Sequence, residues 1–426
     1  MRAVDLFCGA GGLSEGLRQA GFDVIAAADH DPDACATYRL NFPDTKLVAG
    51  DLTVRENHRS LVAEITHIGE RVDLLAGGPP CQAFSQIHNH DRLLADPRNR
   101  LYREFIEILD EVRPKALLVE NVPGMEQLAG GKVRQQIAKE LSLGGDYDIV
   151  SGVLDAGDFG TPQRRPRLVF IGVENGLAEP ELPQGTGITK TLRTGRGADG
   201  RPELLVCVDE AHRYRLADPA DDGVVNVWQA LSDLLWPGAY YSSAPESAYQ
   251  EKARVGSDRP QDHIPSKTRD DTRRRLEAIP PGGNVYDLPQ ELLARSLDGK
   301  KWGPAGNGKT LSRKHFYAYR RLHPDWLAWT ANTKADFAYH YRQPRGLSVR
   351  EAARIQGFPD RFHFTTAPPG SPGQDKRGAR HSRYRQVGNA VAPTMAFAIG
   401  AQIAKLLAGA RAAEQGPEQP LTAAAA

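Results

Sequence analysis

Short apolar runs alternate with helical patterns through residues 1–175: AVDLF (3–7), DVIAAAD (23–29), KLVAGDL (46–52), VDLLAGG (72–78), ALLVENV (116–122) and RLVFIGV (167–173). Runs this short and this continuously apolar read as strands buried on both faces, with the amphipathic stretches between them as crossover helices. The pattern predicts an α/β fold on a parallel sheet. Near residue 176 it breaks into Gly, Pro and charge (AEPELPQGTGITKTLRTGRGADGRPE), and short mixed segments follow to about 345. That interval reads as a second, smaller and less regular domain. LSVREAARIQGF then carries Val349, Ala352, Ala353 and Ile355 at helical spacing, and VGNAVAPTMAFAIGAQIAKLL is helical with an apolar excess that sends it back onto the sheet. The expected organisation is 1–175, 176–345, 346–408 and a frayed tail at 409–426.

Composition narrows the function classes. With 54 Lys+Arg against 53 Asp+Glu and 40% hydrophobic residues, the chain is globular and carries no overall charge for a polyanion. The balance is uneven, however. Between Lys300 and Arg345 ten Lys/Arg face only Asp325 and Asp336, interleaved with aromatics such as Trp302, Tyr319, Trp326 and Trp329. Such a stretch can neutralise phosphates. Cys8, Cys35, Cys81 and Cys207 have no CxxC spacing, which argues against a zinc site or a disulfide framework and for a reducing, cytoplasmic setting. The apolar runs are too short to span a bilayer, and MRAVDLFCGAGG has no signal-peptide character, so no membrane association is expected.

Candidate chemistry gathers at strand ends. Asp5-Leu6-Phe7-Cys8-Gly9-Ala10-Gly11-Gly12 places a glycine turn after the first strand, Asp29 closes the second and Asp51 follows the third. Three such positions in register suit an adenosyl ligand without a pyrophosphate, since the spacing is not that of dinucleotide-binding turns. After the fourth strand, Gly77-Gly78-Pro79-Pro80-Cys81-Gln82 brings a thiol to the carboxyl edge, and Glu120-Asn121-Val122 ends the next strand beside it. A thiolate with a neighbouring carboxyl can combine nucleophilic and acid catalysis.

DLFCGAGG, GGPPCQAFS, ENV, Gln163-Arg164-Arg165-Pro166-Arg167, the Arg350-Glu351-Ala352-Ala353-Arg354 helix and Gln386-Val387-Gly388-Asn389-Ala390-Val391 occur in the order found in the DNA cytosine-5 methyltransferases. The chain resembles the bacterial restriction-modification type of that family over 1–175 and 345–408. The resemblance implies a Rossmann-like methyltransferase sheet with a target-recognition domain, S-adenosylmethionine as methyl donor and no metal. It also implies roles. Cys81 would add to carbon 6 of a flipped-out cytosine, Glu120 would serve N3, and Arg165, with Arg167 in support, would position the base. Phe7, Gly9, Gly11, Asp29, His30, Asp51, Leu101, Asn389 and Val391 would line the donor pocket. Ser85 in the 84–100 loop, Arg313, Lys314, Arg320 and Arg321 in the basic stretch, and Thr330 would meet DNA. Ala331 departs from the family's Thr-aliphatic pair, and Cys8 stands where many members have Ala.

The implied partner is double-stranded DNA in the nucleoid, with a cognate restriction endonuclease encoded nearby, and the enzyme is expected to be monomeric. Two alternatives share these motifs: the tRNA-methylating branch, whose recognition region is short where this one is long, and a catalytically inactive DNA-binding relative. The element Ile279-Pro280-Pro281-Gly282-Gly283-Asn284 also resembles one recurring in bacterial members, with no contact to assign to it.

Overall fold

The computed structural model describes residues 1–67, 69–79, 99–196, 202–207, 214–216, 222–293, 318–374 and 378–415. Its centre is a seven-stranded sheet of strands β1 (Arg2–Leu6), β2 (Asp23–Asp29), β3 (Lys46–Ala49), β4 (Leu74–Gly77), β5 (Ala116–Asn121), β6 (Tyr147–Asp155) and β7 (Pro166–Glu174), in the order β3-β2-β1-β4-β5-β7-β6. The first five run parallel, whereas β7 lies antiparallel between β5 and β6. The sheet is therefore mixed, not wholly parallel. Strand β6 has no counterpart among the apolar runs because it is the sheet's edge and most of its residues are only half-buried.

Alternation along β1 assigns the two faces. Val4 and Leu6 pack towards the helices Arg55–His67 and Arg100–Val112, with Leu61, Ile65, Phe105, Ile108 and Leu109. Ala3 faces the opposite layer, formed by α1 (Gly12–Gln19) and the C-terminal helix Pro393–Gln415. Those two helices touch at backbone distance: a Cβ on Gly16 would lie 2.5 Å from the Pro393 carbonyl and 2.4 Å from Ala396 Cβ. The helical stretch His381–Ala410 is long and apolar enough by composition to cross a membrane, but Met395, Ala396, Ile399, Ile403 and Leu407 are buried in this core. The C-terminal helix continues to Gln415, beyond the expected end at 408, and 416–426 lie outside the described residues.

The 176–345 interval is more ordered than its composition suggests. It contains a small antiparallel sheet, β8 (Leu192–Arg196), β9 (Pro202–Cys207) and β10 (Tyr214–Leu216), in the order β10-β9-β8. Its later part shares a core with both ends of the chain. Val227, Leu231, Leu322 and Phe337 pack in one cluster with Tyr38, Phe42, Phe358 and Tyr384.

Candidate active site

Strand order places the site. The chain leaves β1 for β2 and β3 on one side, then returns for β4 and β5 on the other, so the topological switch lies between the carboxyl ends of β1 and β4. Open α/β sheets bind ligands at that crevice.

At the end of β1 the backbone makes a left-handed turn. Phe7 has φ 58°, an unfavourable value for a bulky residue, and Gly9 and Gly11 follow at 55° and 101°. A Cβ on Gly9 would meet nothing within 4 Å, so the turn leaves an open cradle. The Asp29 carboxylate fixes it, accepting from the Gly9 amide at 2.8 Å and from the Asp31 amide at 2.8 Å. Burial pushes the Asp29 carboxyl above its ordinary value. His30 beside it is largely exposed, as is Asp51, which accepts from the Thr53 amide at 2.9 Å. Leu101 and Val391 are half-buried and Asn389 is exposed. The last two arrive because Gly12 has no side chain: a Cβ there would sit 2.3 Å from the Val391 carbonyl. An ion pair of 2.6 Å between Arg385 and Asp31, not foreseen from the motifs, ties this wall to the end of β2. The open cradle, the strand-end carboxylate and the close C-terminal wall fit an adenosyl donor.

Beneath the turn, Asp5 is fully buried and accepts from the Ser14 hydroxyl at 2.6 Å, with the Tyr38 hydroxyl 2.8 Å from Ser14 Oγ. Burial pushes its carboxyl up to about 7 from 3.8. The folded state thus holds a proton that the unfolded chain releases near pH 4. Its stabilising contribution is complete at low pH and is lost as pH rises through 7. Between pH 4 and 8 the wild type is expected to lose up to about 4 kcal/mol more stability than Asp5→Asn. Urea unfolding at several pH values measures the difference, and parallel profiles would refute it.

At the other side of the crevice, Glu120 and Arg167 pair across β5 and β7, with Arg167 Nε 2.6 Å from Glu120 Oε1 and both side chains nearly buried. A Cβ on Gly78 would lie 3.3 Å from Glu120 Oε2, and the Asn121 side-chain Nδ2 donates to the Pro79 carbonyl at 3.0 Å. The segment leading to Cys81 is therefore bolted to the strand that carries Glu120. Cys81 and Ser85 lie outside the described residues, as do Arg313 and Lys314.

Three expectations are corrected. Arg165 lies within electrostatic reach of Glu120 but does not bond to it: the residue is 1% exposed and its guanidinium donates to the carbonyls of Ala331 at 2.9 Å, Gly388 at 2.7 Å and Ala390 at 2.9 Å. Burial, with the Arg167 charge nearby, lowers its pKa to about 9. The arginine in contact with Glu120 is Arg167 instead. Arg321 is buried and donates to the carbonyls of Leu276, Ile279, His340 and Arg342, which locks the Ile279–Asn284 element in place. Arg320 is buried over the Trp329 ring and donates to the Phe337 carbonyl. Neither guanidinium is presented to a phosphate. Thr330 is half-buried and donates to the Arg164 carbonyl at 2.6 Å, which joins the 176–345 interval to the Gln163–Arg167 motif.

Residues 1–405 match the C-5 cytosine-specific DNA methylase family. The chain is 31% identical to the Type II methyltransferase M.AgeI of Thalassovita gelatinovora, over 95% of this chain and 99% of the relative. It is 33% identical to the Type II methyltransferase M.XorII of Xanthomonas oryzae pv. oryzae, over 98% and 86%. Among solved structures, a DNA modification methyltransferase encoded within an Escherichia coli prophage superposes with a TM-score of 0.63 at 25% identity, covering 96% of this chain and 99% of its own.

Proposed function

The chain belongs to the C-5 cytosine-specific DNA methylases, and from that premise we propose how its own residues divide the work of moving a methyl group from S-adenosylmethionine to carbon 5 of cytosine in DNA. The observation that carries the assignment is the Arg167–Glu120 pair beside Gly78 and Pro79. Carbon 5 of cytosine is a weak nucleophile. Addition of the Cys81 thiolate to carbon 6 makes the ring enamine-like, and negative charge then accumulates on the ring. Glu120 donates to N3 as that charge develops, and Arg167 holds the carboxyl in place and leaves positive charge beside the base. After carbon 5 takes the methyl group, water accepts its proton, N3 returns its own proton to Glu120, and the carbon–sulfur bond breaks to release Cys81 as thiolate.

Phe7, Gly9, Gly11, Asp29, His30, Asp51, Leu101, Asn389 and Val391 would hold the donor, which supplies an electrophilic methyl group. Asp29 has the clearest task, since its carboxylate sets the Gly9 turn and stands at the end of β2. Asp29→Ala is expected to weaken donor binding by about tenfold or more, the scale of one charge-assisted hydrogen bond, and to leave duplex binding intact. Calorimetry with each ligand separately is the measurement, and unchanged donor affinity would remove Asp29 from the pocket.

DNA recognition is assigned to the 176–345 interval, with Thr330 and the 300–317 charges as its candidates in place of Arg320 and Arg321. The enzyme is read as a cytoplasmic monomer that modifies one short sequence of host DNA, with a cognate endonuclease as its counterpart. Labelled donor, mixed unmethylated duplexes and tRNA test the whole reading. Incorporation into duplex cytosine is the expected result. Label in tRNA alone, or none at all, would overturn it.

A further inference from the structure

We propose that Arg165 is a positioning residue that joins the target-recognition backbone to the donor wall, so that binding of duplex DNA and binding of the methyl donor depend on each other. The proposal rests on the reading above, in which Asn389 and Val391 wall the donor and the Thr330 segment serves DNA.

The starting point is an expensive choice of side chain. Arg165 is among the largest fully buried side chains, and among the described residues it makes no ion pair, the Glu120 carboxylate acting on it only from beyond bonding distance. Removing a guanidinium from water without a directly bonded counter-ion costs several kcal/mol, and an apolar side chain would fill the same volume without that penalty. What the guanidinium adds is direction. Its three hydrogen bonds end on backbone carbonyls in two stretches far apart in sequence, Ala331 on one side and Gly388 with Ala390 on the other.

Both stretches are ligand-facing in the reading above. Ala331 follows Thr330, whose hydroxyl donates to the Arg164 carbonyl. Gly388 and Ala390 flank Asn389, and Val391 follows directly. The two stretches also touch: a Cβ on Gly388 would lie 2.1 Å from the Asn332 carbonyl, so only glycine lets them meet.

The remaining polar groups close the joint. The Gln163 side chain accepts from the Ala331 amide at 2.9 Å and donates to the Ile355 carbonyl at 3.0 Å and to Gln356 Oε1 at 2.5 Å. Gln356 in turn donates to the Ala390 carbonyl at 2.5 Å. Gln163, Gln356 and Arg165 thus pin the same two stretches from opposite sides, without solvent to replace a lost bond. A displacement of the 330–332 backbone by DNA must either carry 388–391 with it or break buried bonds. The same holds in reverse when the donor seats against Val391.

The test is a thermodynamic cycle. Affinity for S-adenosylhomocysteine, the donor without its methyl group, is measured by calorimetry on the full-length enzyme with and without saturating cognate duplex, in the wild type, Arg165→Lys and Arg165→Met. The wild type is expected to bind it about tenfold more tightly with duplex present, a typical size for coupled sites. That ratio should fall towards one in Arg165→Met and lie between in Arg165→Lys, which keeps the charge but has one point of attachment. Should Arg165→Met fail to fold, Arg165→Lys and hydrogen exchange of the wild type carry the test, with amides 388–391 expected to gain protection on addition of duplex alone. A ratio as large in the variants as in the wild type, or exchange at 388–391 indifferent to duplex, overturns the joint. Full donor affinity in Asp29→Ala sinks the pocket reading instead, which keeps the two failures distinguishable.

Discussion

A duplex whose target cytosine carries fluorine at carbon 5 is expected to leave this enzyme covalently joined to DNA, as a band that survives denaturing electrophoresis and forms only when the methyl donor is present. The expectation follows from the order of bond changes. Cys81 adds to carbon 6, carbon 5 takes the methyl group, and a proton must then leave carbon 5 before Cys81 can be eliminated. Fluorine cannot leave as a cation, so the adduct persists. Cys81→Ser should abolish the band, because an alcohol is almost wholly protonated near neutral pH whereas a thiol has an appreciable thiolate fraction. The fold predicts where the nucleophile enters: the Pro79 carbonyl is held by Asn121, one residue from Glu120, and Cys81 follows two residues later. A donor-dependent band that persists in Cys81→Ser would mean another nucleophile, and the central assignment would fail.

Much of this site is legible in the chain, and the parts that are not have specific causes. β1, β2, β4, β5 and the glycine turn declare themselves because buried strands must be apolar and a left-handed turn favours glycine, whereas the exposed edge strand β3 shows only through Leu47 and Val48. Strand direction leaves no such mark, so β7 reads the same parallel or antiparallel, and β6 is hidden by its half-exposed edge position. Arg165 and Arg167, two of the three arginines of Gln163–Arg167, are indistinguishable by type. Only the fold tells that Arg167 lies on β7 opposite the strand of Glu120, while Arg165, just before that strand, turns into the interior. Arg320 and Arg321 miscount for a related reason. A tally of charge treats each guanidinium as available to phosphate, whereas a guanidinium can equally satisfy carbonyls that a loop-rich region leaves unpaired.

The division between those two arginines gives the second large effect. Arg167→Ala is expected to lower kcat by about a hundredfold or more while donor and duplex affinities change little. The guanidinium lies 2.6 Å from Glu120, and its main bonds are to that carboxylate and to the Pro166 carbonyl, so its removal frees the acid without opening the fold. Glu120→Gln should show the same split, since the amide keeps the shape of the carboxyl but cannot give a proton to N3. In both variants the fluorinated duplex should still be trapped, only slowly, because the nucleophile is untouched. Arg165→Lys should differ in kind, altering how each ligand binds in the presence of the other more than the chemical step. Single-turnover methylation at saturating donor and duplex separates the cases. If Arg165→Lys slows that step as much as Arg167→Ala does, both guanidiniums serve the reacting base, and the assignment of chemistry to Arg167 and of positioning to Arg165 is wrong.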